Sequence, residues 1–332
     1  MQAQTRRTTS SQRYWRNIGP VPSLPSEAMS PEPRRHNITT PDGRTLEVVS
    51  AGPGEGRCFL FHNGSPAAAT VSQRMIEQTT KRGLRFVTFS RPGYARSTPN
   101  PGRSVGDVAG DVTAILDALG VESFLCAGES GGGPHALACA ALLPDRVIAT
   151  ASLAGPAPWP ADGLDWFAGM SPQNIEEYAA SMRGAVTLTP VLERVAAHLR
   201  DVTPEAVAAV GALMGDVDNS VLTAEYAEFM ATSLRRAVSN GVAGWRDDDL
   251  AFVKPWGFDL DAIHTPVAVW QGGEDRVVPM AHGAWLAGHV PGALAKLLPT
   301  EGHLTLATNK LGDVLDSLLS MAGTSQQAPR VS

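Results

Sequence analysis

The run Gly128-Glu129-Ser130-Gly131-Gly132 constrains the fold of this chain more than any other. It has the form G-x-S-x-G. Before it, Ser123-Phe124-Leu125-Cys126-Ala127 is an apolar run of strand length. After it, Pro134 to Leu143 is rich in Ala and Leu and reads as a helix, with its proline tolerated in the first turn. A strand running straight into a helix leaves room only for a sharp turn, with a strained backbone at the serine. Small residues two before and two after the serine let strand and helix approach closely. Such a turn presents the Ser130 hydroxyl at a helix N-terminus, where free N–H groups face negative charge. A glycine-rich turn would explain the glycines alone and make no demand elsewhere in the chain. A nucleophilic serine does make such demands.

A serine hydroxyl needs a base to take its proton, and the base needs a third group to fix its tautomer. For an elbow serine these partners follow in the order acid, then histidine. Val267-Ala268-Val269-Trp270 reads as a late strand, and Gln271 to Pro279 as the turn after it. Asp275 is the acid chosen, with Glu274 as competitor, because Asp275 stands further out of the Gly272-Gly273 turn. Of eight histidines, His303 is the one that follows the last predicted strand and precedes the last predicted helix. Acyl transfer also needs two N–H donors for the developing oxyanion, one after the nucleophile and one from an earlier loop. Gly131 supplies the first. Ser65, in the loop His62-Asn63-Gly64-Ser65-Pro66, is assigned the second, with Gly64 as the alternative. His62 lies upstream of the serine and is expected to brace that loop.

With these residues in order, the chain resembles the α/β-hydrolase family. The resemblance rests on His62 to Pro66, Ser90-Arg91-Pro92-Gly93-Tyr94-Ala95-Arg96-Ser97, Gly128 to Gly132, Gly273-Glu274-Asp275 and Gly302-His303. It implies a mostly parallel, doubly wound sheet with an all-helical cap insertion, and a triad of Ser130, Asp275 and His303. Two departures from the family pattern stand out. Asn63 interrupts the common His-Gly pair, and Ser90 replaces the acidic residue that often precedes Arg-Pro-Gly-Tyr. Relatives that attack an alkyl carbon carry an aspartate at the elbow, so Ser130 implies attack on an acyl carbon.

The coarse pattern agrees with an α/β chain. Strands are expected at 35–40, 44–50, 57–62, 84–89, 123–128, 147–153, 266–271 and 293–298, with helices at 69–82, 104–119, 131–142, 281–289 and 308–321. Pro41-Asp42-Gly43 joins the first two strands as an antiparallel hairpin at a sheet edge. The core is assigned to 35–155 and 257–322, the helical cap to 156–256, a flexible leader to 1–34 and a tail to 323–332. Helices are expected at 172–183, capped by Ser171-Pro172, and near 220–239. Trp166, Phe167, Met170, Tyr178, Met182, Met214, Tyr226, Phe229 and Met230 are candidates for an acyl pocket, most of them expected to pack inside the cap. Trp245-Arg246-Asp247-Asp248-Asp249 reads as a solvated charge run rather than a metal site.

A net charge of −6 with no basic stripe argues against nucleic acid as partner. No run reaches the roughly 20 apolar residues of a membrane span. Cys58, Cys126 and Cys139 make no disulfide framework and read as small core hydrophobes in a reducing, cytoplasmic setting. Arg6-Arg7 lacks the apolar stretch of an export signal. The expectation is a cofactor-free, metal-free serine hydrolase acting on a small to medium, apolar ester, lactone or related acyl compound. Rival readings are C–C or amide cleavage, with Glu176-Glu177 as a weak amine-binding candidate, a haloperoxidase-like side reaction, and a slow-turnover ligand receptor.

Overall fold

The structure, a computed structural model, describes residues 32–325. The Arg6-Arg7 pair and nearly all of the expected leader and tail lie outside the described residues. Eight strands form one sheet: β1 (Arg34–Thr39), β2 (Thr45–Ala51), β3 (Arg57–His62), β4 (Leu84–Phe89), β5 (Phe124–Glu129), β6 (Val147–Leu153), β7 (Val267–Gly272) and β8 (Leu294–Leu298). Their order is β1-β2-β4-β3-β5-β6-β7-β8. β1 and β2 pair antiparallel at one edge, β2 also pairs antiparallel with β4, and every later pair is parallel. Each strand begins within one residue of its expected start.

Alternation along the strands explains why both faces are covered. On β3 and β5, Cys58, Leu60, Phe124 and Cys126 enter one core, while Phe59, Phe61, Leu125 and Ala127 enter the other. The first core is closed by α2 (Val108–Ala118), α3 (Gly132–Leu142) and α10 (Met280–His289), through residues such as Ile115, Leu137 and Leu286. The second is closed by α1 (Gln73–Thr80) and α12 (Leu311–Ser325), through Met75, Val314 and Leu318. α12 thus runs past the boundary expected at residue 322. The chain leaves β3 toward β4 on one side and leaves β5 toward β6 on the other. Loops diverge there, which opens a crevice at the carboxyl ends of the strands.

Between β6 and β7 lie only helices among the described residues: α4 (Pro172–Ser181), α5 (Ala185–Leu199), α6 (Pro204–Met214), α7 (Asp216–Asn219), α8 (Ala224–Ala237) and α9 (Ala243–Phe252), then a short 3-10 turn. Three start on local signals. Ser171, Thr203 and Thr223 accept from the N–H of the third residue of α4, α6 and α8, with proline first in α4 and α6. Trp245 to Asp249 departs from the expectation of a solvated run. These residues lie in α9, and Asp247, Asp248 and Asp249 are all buried. The reason is long-range pairing: Arg91 and Arg103, carried by the chain after β4, meet Asp248.

Candidate active site

β5 ends in the sharp turn that its glycines require. Ser130 has φ of 50°, a left-handed conformation rare outside glycine. A Cβ at Gly128 would lie 2.0 Å from the Gly132 carbonyl oxygen, and one at Gly132 2.1 Å from that of His62. Glycine is therefore obligatory at both positions for this strand–helix approach. The Ser130 N–H donates to the Leu153 carbonyl at 2.8 Å, which fixes the turn against β6.

The other predicted partners converge from the far side of the sheet. Asp275 Oδ1 accepts from the N–H groups of Val277 and Val278, both at 2.8 Å. Its Oδ2 accepts from Gln271 Nε2 at 3.0 Å and from His303 Nδ1 at 2.8 Å. Glu274, the competitor, is exposed. Asp275, not Glu274, is the carboxylate bonded to the imidazole, through Nδ1, and Nε2 is left without that contact. His303 does not sit in a plain loop; it opens a short helix, α11 (His303–Ala307). Burial lowers the His303 pKa, but the Asp275 charge and hydrogen bond, then Asp218 and Glu129, more than offset it, and the net direction is up.

Asp218 was not foreseen. It sits on α7, 85 residues before His303, and its carboxylate accepts from the N–H groups of His303 at 2.9 Å and Leu304 at 2.7 Å. An anion placed on the free N–H groups of a helix start satisfies them and favours the helix. The helical segment therefore grips the backbone that carries the histidine.

The loop after β3 reaches the elbow. A Cβ at Gly64 would lie 3.2 Å from Ser130 Cβ, and one at Gly131 would lie 2.6 Å from Ser65 Oγ. Gly131, at the start of α3, and Ser65 are thus side by side. The expected brace from His62 is not what holds this loop. His62 is buried with Nε2 3.5 Å from Cys139 Sγ, and its Nδ1 has no partner. Arg91 does the holding: its guanidinium donates to the carbonyls of Asn63 and Gly64 and, at 2.9 Å, to Ser65 Oγ. Asp248 anchors Arg91 in turn. Its Oδ2 lies 2.6 Å from Arg91 Nη2, 2.9 Å from the Tyr94 hydroxyl and 2.7 Å from Ser65 Oγ, while Oδ1 accepts from Arg103 at 2.7 Å. Burial would raise the Asp248 pKa, yet Arg91 and Arg103 hold it well below the usual carboxylate range.

A cavity of about 220 Å³ joins these parts. Ser130, His303, Gly64, Ser65 and Glu129 line it together with Tyr226, Phe229, Met230 and Leu234. Of the Met and aromatic candidates among the described residues, the three that reach it all lie on α8; the Met214 side chain lies outside the described residues. Trp166, Met170, Phe167 and Tyr178 pack instead into the core beneath. Glu176 pairs with exposed Arg194, half-buried Glu177 accepts from Trp245, and neither lines the cavity. The cysteines are free and buried. Cys126 and Cys139 lie close to His62, the one grouping of three potential metal ligands among the described residues, enclosed in the core rather than in the cavity. Among the described residues no helix is long and apolar enough to cross a membrane.

Comparisons with known proteins bear on this geometry. The chain is 30% identical over 122 residues to a bifunctional esterase/perhydrolase from Acinetobacter calcoaceticus, which covers 36% of this chain and 44% of that protein. The chain therefore matches less than half the length of that relative. It is 25% identical over 281 residues to a 2-hydroxy-6-oxononadienedioate/2-hydroxy-6-oxononatrienedioate hydrolase from Cupriavidus pinatubonensis, covering 80% of this chain and 88% of the relative. In fold it is similar to a thermophilic esterase from Thermogutta terrifontis, with a TM-score of 0.62 at 21% identity over 87% of this chain and 99% of that one. The sequence model of the alpha/beta hydrolase fold matches residues 58–310, from the second residue of β3 to the residue before α12. That span takes in the elbow, the Asp275 turn and the His303 helix, and the chain belongs to the alpha/beta hydrolase fold family.

Proposed function

We propose that this chain is a serine hydrolase of small to medium, largely apolar esters, lactones or related acyl compounds. The observation that carries the reading is the 2.8 Å bond from His303 Nδ1 to Asp275 Oδ2, with His303 and the strained Ser130 lining one cavity. His303 Nε2 takes the proton of Ser130 as its Oγ attacks the acyl carbon. The N–H groups of Gly131 and Ser65 receive the oxyanion, with Gly64 as the alternative second donor. His303 then returns the proton to the leaving oxygen. Water, deprotonated by the same nitrogen, releases the acid from Ser130. Asp275 holds the imidazole tautomer throughout.

The helices at 156–256 act as the cap. The reading is supported by α8, which supplies Tyr226, Phe229 and Met230 to the cavity. Catalytic groups on core loops stay fixed, while a cap tied by two connections can vary. A reducing, cytoplasmic setting accords with the three free, buried cysteines.

The test is a panel of p-nitrophenyl esters of rising acyl length with the intact chain and Ser130→Ala. Turnover that falls by about a million-fold in the variant is expected. Retention of more than a few per cent would remove Ser130 as nucleophile. Stoichiometric binding without turnover by the unaltered chain would favour a receptor.

A further inference from the structure

We propose that Glu129 selects substrates by charge, so that the cavity accepts neutral and cationic acyl groups and rejects acyl groups bearing a carboxylate. The proposal rests on the serine hydrolase reading of the same cavity. Among the described residues, Glu129 is the one ionisable side chain lining it apart from His303 and the Tyr226 phenol, and no lysine or arginine does so. Arg91 lies behind the oxyanion loop, but its guanidinium is consumed by Asp248, Ser65 and two loop carbonyls. Arg276, beside lining residue Val277, is exposed and outside the cavity. His303 is held by one carboxylate on its ring and another on its backbone. Burial is the largest influence on the Glu129 carboxyl and its net direction is up, although His303, the Gly64 N–H and Arg91 each favour the charged form. Negative potential from Glu129 and Asp218 also extends to Tyr226 across the cavity and raises its phenol well above the ordinary value, behind the larger effect of burial.

A substrate carboxylate placed here would lose its water, meet no lysine or arginine among the described lining residues and face Glu129. Two like charges about 6 Å apart at an effective dielectric of about 20 repel by enough to change a rate constant roughly 100-fold. A quaternary ammonium in the same place would gain what the carboxylate loses. The Cupriavidus relative, whose name specifies a dioate substrate, would on this account differ from the present chain in the charge its pocket presents.

The experiment compares kcat/KM for three p-nitrophenyl esters of equal chain length: hexanoate, the adipate monoester and 6-(trimethylammonio)hexanoate. With the unaltered chain, the adipate monoester should fall about 100-fold below hexanoate, and the ammonium ester should equal or exceed hexanoate. In Glu129→Gln, the ratio of adipate to hexanoate should rise at least 10-fold. An adipate gap under 10-fold in the unaltered chain overturns the proposal, as does a gap that Glu129→Gln leaves in place. If no ester is cleaved, the serine hydrolase reading falls and the charge proposal is decided by binding. Calorimetry on Ser130→Ala should then show hexyltrimethylammonium binding at least 10-fold tighter than hexanoate anion. Equal or reversed affinities overturn it, and this arm needs no Glu129 variant to fold.

Discussion

Replacing Asp248 by asparagine removes one charge from the most heavily bonded carboxylate near the cavity. Its oxygens lie within hydrogen-bonding reach of Arg91, Arg103, Tyr94 and Ser65, and the Asp248 and Arg103 side chains are 0% and 3% exposed. The amide keeps the size but leaves buried Arg91 without its counter-charge and Arg103 with only Asp247, 3.5 Å away. Breaking one side of a buried ion pair typically costs about 3–5 kcal/mol, a large share of the roughly 5–15 kcal/mol that holds a domain folded. At roughly 2–4 °C per kcal/mol, Tm should drop by roughly 6–20 °C. The pH dependence has a definite sign. The carboxyl is depressed in the folded state, so its contribution is complete above the unfolded pKa of about 3.9 and is lost as pH falls through the lower folded value. The stability gap between the two proteins should therefore be flat from about pH 5 to 8 and close only in strong acid. Ser65 Oγ also loses its anionic acceptor, so kcat/KM should fall, with the roughly 100-fold to 1,000-fold value of one oxyanion donor as the ceiling. Thermal and urea melts followed by far-UV circular dichroism, paired with esterase assays, read both effects. A variant melting within about 2 °C of the parent would refute the claim that Asp248 neutralises the buried cations.

Three further outcomes follow from the same geometry. Asp275→Asn should keep the fold but lose roughly 10,000-fold in kcat through the wrong imidazole tautomer, with Glu274→Gln close to the parent; the reverse pattern would reassign the acid. Asp218→Asn should move the acid limb of the kcat/KM profile to lower pH, because Asp218 helps raise the His303 pKa and the base must be neutral to act; an unmoved limb would leave Asp218 a purely structural cap. Phe229→Ala or Met230→Ala should change the preference between short and long acyl chains by up to roughly 10-fold to 200-fold, while equal depression of every ester would place a catalytic group on α8.

The parts legible in the sequence were those whose signals are local. Every central strand is a short apolar run between turn residues, because strands buried on both faces have no polar side to blur the pattern. Gly128 and Gly132 flank Ser130 because a Cβ at either would strike backbone oxygen, and that demand is visible as spelling. Asp275 and His303 follow late strands, where the order of the chain announces them. What stayed hidden depends on contacts between distant segments. Asp218 reaches His303 across 85 residues, and Asp248 meets Arg91 across 157. Read locally, three adjacent aspartates look solvated. A usable signal was present: Trp245, Asp248, Asp249 and Phe252 share one helical face, which places a carboxylate on an apolar stripe and requires a buried partner. His62 was credited with bracing a loop that Arg91 holds, because a residue next to a loop in sequence need not touch it.

Reaction with an aryl phosphonate ester, followed by intact-mass and peptide mass spectrometry, tests the nucleophile most directly. A phosphonate captured by the attacking oxygen forms a stable mimic of the tetrahedral intermediate. One equivalent per chain should attach, confined to the peptide carrying Ser130, with parallel loss of esterase activity and no labelling of Ser130→Ala. Persistent activity with Ser130 unmodified, or stoichiometric labelling at another residue, would contradict the assignment of this elbow as the reacting centre.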